Sequence, residues 1–416
     1  INVFKDEGNT RVIIFSALVG ALITLTQASG GVQGFVDFIQ KRKLVTTRRR
    51  ASGFAFIVGC SVFIESSISC LVTGTIFHPI FEKFKISREK LAYFCDATAS
   101  PVCVLLPLNA WGAYIISLLD KEGLPNSFSV FFQTIPLNFY AILTVILSGF
   151  IAFSFKDFGT MKKAEIRSLE LGKTIRDGAV PVVSEEITNT KAKKGIPHRA
   201  LNMVIPILTM AVMMPISLVI TGNGDLTAGS GSTSVLWSVS LAIVVASIMY
   251  MWQRLMDLNE TVNHILKGIG GLIPLAILMT FAFAIGDTCR ALGTGPYVAS
   301  VANSLLSEQF LAPVIFVTSM LISFSTGTSW GTFAIMMPIA VPTALLMGVN
   351  LPLTIAAVLS GSVFGDHCSP ISDTTIVSSM ASASDHVDHV WTQIPYALTA
   401  AVGALILFTI FGFILY

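Results

Sequence analysis

Long apolar stretches separated by short polar ones run through the whole chain. A helix that spans a membrane needs about 20 mainly apolar residues. The charge-poor segments are 11–29, 51–81, 91–119, 128–155, 200–221, 235–252, 268–286, 309–365 and 391–416. Segment 309–365 has 57 residues without a charge, and as one helix it would be about 86 Å long at about 1.5 Å per residue. It must turn within or beside the membrane, so the pattern predicts an all-α polytopic membrane protein.

Composition supports this fold class and narrows the function. Charged residues make up 12% of the 416 residues, whereas soluble domains usually carry about 25%. The six cysteines lack metal-type spacing and are expected to be buried packing residues. Basic and aromatic residues do not alternate, which argues against a nucleic-acid partner. No P-loop, dinucleotide fingerprint or nucleophile–base motif occurs. We therefore expect no enzyme and no cofactor, and an ion gradient as the energy source.

The basic residues orient the chain in the membrane. Of 26 lysines and arginines, 22 lie in segments 40–50, 82–90, 156–199 and 253–267. We place these segments on the cytoplasmic side, because cytoplasmic loops are enriched in Lys and Arg. Segment 51–81 then begins and ends on one side, which predicts a re-entrant hairpin covered by protein. A second hairpin, over about 312–341, is predicted to enter from the other side.

The two halves of the chain share a pattern of polar residues. Asp96-Ala-Thr-Ala-Ser-Pro101 is similar to Asp366-His-Cys-Ser-Pro370. The charge rule gives the two copies opposite orientations, which is typical of secondary transporters with inverted repeats. We expect a first inverted repeat over 1–155, a cytoplasmic polar linker over 156–199 and a second inverted repeat over 200–416. Two spans of the second copy have no counterpart before 11–29, so about two further helices are expected ahead of residue 1.

The polar stretch around Pro370 is the strongest candidate site. Its polar side chains include Asp366, His367, Ser369, Asp373 and Thr374. A charge at the bilayer centre costs about 2.5–3.5 kcal/mol, and a proline disfavours helix at the residue before it. The stretch therefore predicts a discontinuous transmembrane helix. We expect Asp366 and Asp373 to bind Na⁺ and to be proton-linked, together with His367. The alternatives are a solvated interfacial loop and, for His367, a packing residue.

Three further groups of polar residues complete the predicted site. The break around Pro101 contributes Asp96, Thr98 and Ser100 as ion- or substrate-binding candidates, the alternative being a helix cap near the boundary. The tip of the first hairpin contributes Glu65 and Ser66, with Glu65 also proton-linked. The tip of the second contributes Thr326, Thr328 and Ser329, for which the alternative is hydrogen bonding between helices. The stretch 385–389 has metal-like residue types, but a solvated acidic loop is expected there.

Two motifs resemble the NhaC family of sodium/proton antiporters. They are Gly365-Asp-His-Cys-Ser-Pro-Ile-Ser-Asp-Thr-Thr-Ile376 and Gly327-Thr-Ser-Trp-Gly-Thr-Phe333. The stretch 385–396 is also similar to the one that follows in that family. The resemblance implies an antiporter of the ion-transporter superfamily in a bacterial cytoplasmic (inner) membrane, with Asp366 and Asp373 as ion-linked carboxylates. It also implies relatives that exchange organic acids such as malate and lactate.

The sequence therefore predicts a Na⁺/H⁺ antiporter that works by alternating access, with both ions competing for intramembrane carboxylates. Its partners are Na⁺, as transported or coupling ion, H⁺ and the lipid bilayer. The first alternative is a Na⁺- or H⁺-coupled exchanger of a small organic acid or amino acid, which Arg290 would assist if it reached the site. A distant alternative is a membrane-embedded hydrolase that uses Asp366 and Asp373. A homodimer is left open.

Overall fold

Helices account for most of the described structure. The computed structural model describes residues 2–41, 45–63, 66–107, 109–124, 126–181, 195–225 and 229–415. The α-helices in these ranges are α1 (Glu7–Ala28), α2 (Gly31–Lys41), α3 (Arg48–Ser61), α4 (Ser66–Lys83), α5 (Arg88–Ala97), α6 (Ser100–Leu105), α7 (Ala110–Lys121), α8 (Ser127–Thr134), α9 (Phe139–Ser154), α10 (Gly159–Leu171), α11 (Leu201–Thr221), α12 (Gly231–Trp252), α13 (Leu258–Gly271), α14 (Ile273–Ala291), α15 (Thr294–Leu305), α16 (Leu311–Thr326), α17 (Ser329–Met347), α18 (Leu351–Cys368), α19 (Asp373–Ala381) and α20 (His386–Ile414). The mainly helical architecture predicted from the apolar pattern is therefore confirmed.

Several helices have the length and composition of membrane spans. In the described ranges, eight helical stretches are long and apolar enough to cross a membrane, namely Glu7–Ala28, Phe139–Leu171, Leu201–Thr221, Gly231–Trp252, Glu308–Thr326, Ser329–Met347, Leu351–Cys368 and His386–Ile414. Large apolar side chains such as Ile146, Leu346 and Ile406 are exposed on them. Such surfaces suit a lipid environment, so the protein is a multi-pass membrane protein.

Two apolar segments are broken at the polar motifs. The segment 91–119 is divided among α5, α6 and α7, and Thr98 and Ala99 separate the first two. The segment 352–381 is divided between α18 and α19, with residues 369–372 between them. Ser369 has extended backbone angles, as the proline that follows it favours, and Ser372 is extended as well. The predicted discontinuous helix at Pro370 is therefore present.

Two pairs of helices are separated by only a few residues along the chain. Helices α3 and α4 are separated by residues 62–65, of which 64 and 65 lie outside the described residues. Helices α16 and α17 are separated by Gly327 and Thr328. Gly327 has φ of +68° and Thr328 caps α17 by accepting from the Gly331 N–H. A glycine suits this turn, since other residues are strained at positive φ.

Helices α16 and α18 pack with their backbones unusually close. A Cβ atom on Gly361 would overlap the Phe316 carbonyl, and one on Gly365 would overlap the Phe324 amide. The hydroxyl of Ser323 donates to the Ser362 carbonyl at 2.6 Å across the same interface. Small residues permit such backbone approach. These glycines lie within the regular helix α18, where they permit its close packing against α16.

Two polar connections are helical, where we expected a loop and a linker. Helix α13 occupies most of segment 253–267, and it starts with a reciprocal cap between Asp257 and Glu260. Helix α10 lies within the predicted linker 156–199. It covers the buried Lys90, whose Nζ atom is 2.7 Å from Asp157 and 3.6 Å from Glu165. The linker is therefore attached to the helical core at this point.

Candidate functional site

Asp366 lies at the end of α18, three residues before Ser369 begins the break. Its side chain is 1% exposed. Three hydroxyl groups donate to its carboxylate: Ser100 to Oδ2 at 3.0 Å, Ser329 to Oδ2 at 3.1 Å, and Ser372 to Oδ1 at 2.7 Å. These serines come from the start of α6, the start of α17 and the break itself. One buried carboxylate thus joins three segments that are far apart in the chain.

The end of α16 and the turn that follows it contact the break beside Asp366. The Ser369 hydroxyl donates to the Phe324 carbonyl at 2.7 Å. A Cβ atom on Gly327 would come within 2.6 Å of the Ile371 carbonyl. The absence of a side chain at Gly327 therefore brings the tip against the break and places Ser329 over Asp366.

The first break also forms contacts with a neighbouring helical pair. Asn109 donates from Nδ2 to the Phe63 carbonyl at 2.9 Å, so a side chain that follows the break binds the end of the first hairpin. Thr98 lies in the break with its hydroxyl bonded to the Phe94 carbonyl at 2.7 Å. It faces Gly59 of α3, where a Cβ would overlap its Oγ1 atom. Thr98 is thus a packing contact of the first hairpin.

Asp96 is fully buried at the end of α5, next to the second break. Its Oδ2 atom accepts from Gln393 Nε2 at 3.0 Å. Its Oδ1 atom has no hydrogen-bond partner among the residues described. The same Gln393 amide also donates to the His367 carbonyl. The two breaks therefore meet at one buried polar cluster, which contains both Asp96 and Asp366.

Helix α20 supplies two residues that the sequence analysis did not select. His389 is fully buried, and its Nε2 atom lies 2.9 Å from Gln393 Oε1 and 3.8 Å from Asp96 Oδ2. The expectation of a solvated loop over 385–389 is wrong for this residue, because the stretch is the first turn of α20. The signal that could have revealed it is the i, i+4 spacing of His389 and Gln393, which places both on one face of an apolar helix.

His367 is buried but separate from the hydroxyls around Asp366. Its Nδ1 atom is 2.8 Å from the Tyr140 hydroxyl, and its ring lies near that of Tyr93. Its Nε2 atom has no hydrogen-bond partner within the described ranges. The geometry matches the packing alternative, with one hydrogen bond that fixes the ring.

The remaining candidates occupy less central positions. Asp373 is exposed at the first residue of α19, where its Oδ1 atom accepts from the Thr374 N–H at 2.9 Å. The Thr374 hydroxyl is 3.1 Å from that of Ser372. Thr326 is exposed and bonded to its own helix, and Ser66 is buried at the start of α4. Glu65 lies outside the described residues. No group of three or more metal-ligating side chains that could hold an ion occurs among the described residues.

Comparison with known families decides the class of protein. The model of the Na⁺/H⁺ antiporter family matches residues 102–413. The chain belongs to the Na⁺/H⁺ antiporter family. The resemblance to NhaC antiporters is thereby confirmed, and the family consists of transporters, so the chain is not an enzyme and the hydrolase alternative is set aside. The matched region begins after Pro101 and includes the break at Pro370.

Three relatives illustrate the range of this antiporter family. An uncharacterized protein of Haemophilus influenzae is 34% identical over 98% of this chain and 79% of its own length. The malate-2H⁺/Na⁺-lactate antiporter of Bacillus subtilis is 36% identical over 36% of this chain and 32% of its own length. The Na⁺/H⁺ antiporter NhaC of Alkalihalophilus pseudofirmus is 28% identical over 41% of this chain and 37% of its own length.

A solved structure shares the fold of this antiporter-family chain. It is the YdaH transporter of Alcanivorax borkumensis, which matches with a TM-score of 0.60 and 14% identity over 99% of this chain and 86% of the other. At this identity the likeness concerns the fold alone. It supports the arrangement of helices around the two breaks.

Proposed function

We propose that the chain exchanges Na⁺ for H⁺ across a bacterial cytoplasmic membrane, with Asp366 as the carboxylate that holds the transported cation. The observation that carries the proposal is the convergence of Ser100, Ser329 and Ser372 on this one buried side chain. A serine hydroxyl can donate its hydrogen to a carboxylate while its lone pairs face a cation. Hard cations prefer such oxygen ligands.

Competition between the two ions follows from the charge of Asp366. The carboxylate is buried, and a buried charge is costly unless it is neutralised. Either a proton or Na⁺ can neutralise it, and occupancy by one disfavours the other. Asp373 lies on the exposed side of the same break. We propose that Asp373 attracts cations toward Asp366, so that both carboxylates take part in the exchange.

Alternating access is supported by the paired construction of the site. In each half a short helical pair ends against a broken segment, at Phe63 in the first and at Phe324 in the second. We infer two inverted repeats, over 1–155 and 200–416, each with a re-entrant hairpin, joined by the linker 156–199. Movement of one repeat-derived unit against the other would expose the site to each side in turn.

Exchange of a small organic acid is the second candidate, favoured by the similarity to the malate-2H⁺/Na⁺-lactate antiporter. An anion would need positive charge at the site. Arg290 does not supply it, because its guanidinium is paired with Glu122 and Asp287 at 2.6 Å each. The hydrogen bonds to the carboxylate of Asp366 described above come from serine hydroxyls. The donor set of hydroxyls and carboxylate suits a cation better.

Transport assays in proteoliposomes separate the two candidates. We expect an imposed Na⁺ gradient to drive proton movement, read with a pH-sensitive dye inside the vesicles, without any organic acid. Malate or lactate should change this flux by less than about twofold. Proton movement that requires an added carboxylate would replace the Na⁺/H⁺ proposal by the organic-acid candidate.

A further inference from the structure

A chain of side chains links the exposed start of α20 to the buried Asp96. His386 is half-buried, and its Nε2 atom is 2.6 Å from the Pro370 carbonyl. Its Nδ1 atom is 3.0 Å from the Ser379 hydroxyl, which is 2.9 Å from His389 Nδ1. His389 in turn faces Gln393 and Asp96 through Nε2. The order is therefore His386, Ser379, His389 and Asp96.

The acceptors at the two ends fix which ring nitrogens carry hydrogen. Gln393 Nε2 faces the Asp96 carboxylate and the His367 carbonyl, so the amide donates from this side and its Oε1 atom accepts. His389 Nε2 must then carry a hydrogen. His386 Nε2 must carry one as well, because the Pro370 carbonyl can only accept.

The Ser379 hydroxyl has one hydrogen for two ring nitrogens. If it donates to His389 Nδ1, then His386 Nδ1 must donate to it, and His386 is an imidazolium. If it donates to His386 Nδ1, then His389 is the imidazolium. Ser379 also lies 2.8 Å from the Thr375 carbonyl, and donation there leaves both rings charged. Every arrangement that bonds Ser379 to both rings therefore holds at least one extra proton, on one ring or on both.

We propose that His386, Ser379 and His389 form a proton path between the cytoplasmic side and Asp96. The proposal rests on the Na⁺/H⁺ exchange proposed above and names the route by which a proton reaches the buried polar cluster that contains Asp96 and Asp366. The path starts beside the basic linker, since Arg176 pairs with Asp388 and the Val180 N–H donates to Asp385 near the start of α20. It ends 3.8 Å from Asp96 Oδ2.

The transfer moves one proton and no electrons. The N–H bond at His386 Nδ1 breaks as an O–H bond forms at Ser379. The original O–H bond of Ser379 breaks as an N–H bond forms at His389 Nδ1. The His389 imidazolium then stands beside the Asp96 carboxylate. Approach of the two side chains breaks the N–H bond at Nε2 and forms the O–H bond on Asp96. The reverse sequence releases a proton.

Titratable groups of neighbouring elements face both rings of the path. His389 faces Asp96 on α5, and His367 on α18 is the other titratable group nearby. Asp385 and Asp388 lie in the same turn as His386, with Arg176 of the linker against them. A carboxylate thus lies close to each end of the path.

The test compares proton flux with Na⁺ movement in the same vesicles. Na⁺-driven proton flux needs the path, whereas exchange of ²²Na⁺ for Na⁺ needs only the cation site and alternating access. We expect Ser379→Ala to lower proton flux about tenfold or more with ²²Na⁺ exchange changed by less than about twofold. Ser379→Thr keeps the hydroxyl and should restore the flux. Ser382→Ala is the matched control, because its hydroxyl bonds only carbonyls of its own helix.

An unchanged ratio of proton flux to ²²Na⁺ exchange in Ser379→Ala overturns the path, whether both rates persist or both fall. A wild-type protein without Na⁺-driven proton flux instead overturns the exchange itself, and the path with it. A second variant uses the exposure of His386. His386→Ala should lose proton flux and regain it when imidazole is added on the linker side. Full flux without imidazole contradicts the path.

Discussion

The hydroxyl of Ser100 donates to the carboxylate of Asp366 at 3.0 Å, although 266 residues separate them in the chain. This bond crosses between the two halves of the protein, since Ser100 begins α6 and Asp366 ends α18. Ser329 brings a third segment to the same oxygen atom. Any movement that opens the site must lengthen these bonds. The carboxylate therefore couples ion occupancy to the relative position of the two halves of the protein.

Removal of either hydroxyl should weaken Na⁺ binding. A hydrogen bond to a charged group is worth about 1.5–3 kcal/mol, so Ser100→Ala or Ser329→Ala should raise the apparent KM for Na⁺ about 10- to 100-fold. The flux assay in proteoliposomes measures this directly. Ser325→Ala is the control, because Ser325 is exposed on the same hairpin and bonds only its own helix. Equal KM values in all three variants would argue against the hydroxyls as ligands.

A methyl group at Gly365 should separate α16 from α18. Its Cβ would overlap the backbone of Phe324, and overpacking of this kind costs about 1–3 kcal/mol. We expect Gly365→Ala to lower the thermal midpoint in detergent and to slow Na⁺ transport. Gly270→Ala is the control, since that helical glycine is exposed with no atom within 4 Å of an added Cβ. A Gly365→Ala protein as stable as the wild type would contradict the close packing.

Lys90 should be needed for the attachment of α10. It is fully buried between Asp157 and Glu165, and removal of one partner from a buried ion pair costs about 3–5 kcal/mol. Lys90→Ala should therefore lower the thermal midpoint and expose α10 to protease. Lys173→Ala removes an exposed lysine that pairs with Asp177 and should have little effect. Comparable losses in both variants would rule out a special role for the buried pair.

The stability of the contact between the linker and α20 should depend on pH only under acidic conditions. Burial by itself would raise the pKa of Asp385, but the N–H groups of Val180, Asp388 and Val387 hold the pKa of this carboxyl below its usual range. A lowered pKa means that the contact stabilises above the unfolded value of about 3.9 and is lost as pH falls through the folded value. Amide exchange around Val180, corrected for its intrinsic rate, should be constant from about pH 8 to pH 5.

A variant distinguishes the contribution of the Asp385 carboxyl from other effects of acid on the protein. Asp385→Asn should show at pH 7 the faster exchange that the wild type shows only below about pH 4. Asp177→Asn removes another exposed carboxylate of the linker and serves as the control. Loosening of the wild-type contact between pH 7 and pH 5 would assign the pH dependence to a different group.

The positions of the helix breaks could be predicted from local residue types. Their proximity in space could be predicted from the similar polar patterns in the two halves of the chain. Pro370 disfavours helix by a covalent constraint, which acts wherever the segment is placed. The likeness of Asp96–Pro101 to Asp366–Pro370 indicated that the two breaks are partners. The reciprocal cap of Asp257 and Glu260, which begins a helix within segment 253–267, was not used in the prediction from sequence.

Tertiary packing made other features unpredictable. His389 is buried because α20 lies against α5, and nothing within residues 385–396 specifies that neighbour. Gly361 lies within a regular helix, and the need for a glycine there depends on the position of Phe316 in another helix. Asp373 and Asp366 are the same residue type, yet the first turn of α19 leaves Asp373 exposed. Equal residue types thus acquire different surroundings through contacts that the sequence does not show.

The proton flux of Asp366→Asn, driven by a Na⁺ gradient in proteoliposomes, tests the central claim most directly. The amide keeps the size and can still accept from Ser100 and Ser329, but it cannot take up a proton or balance the charge of Na⁺. We predict a loss of flux of about 100-fold or more, whereas Asp373→Asn should mainly raise the apparent KM for Na⁺. Wild-type flux from Asp366→Asn would show that the exchange does not use this carboxylate.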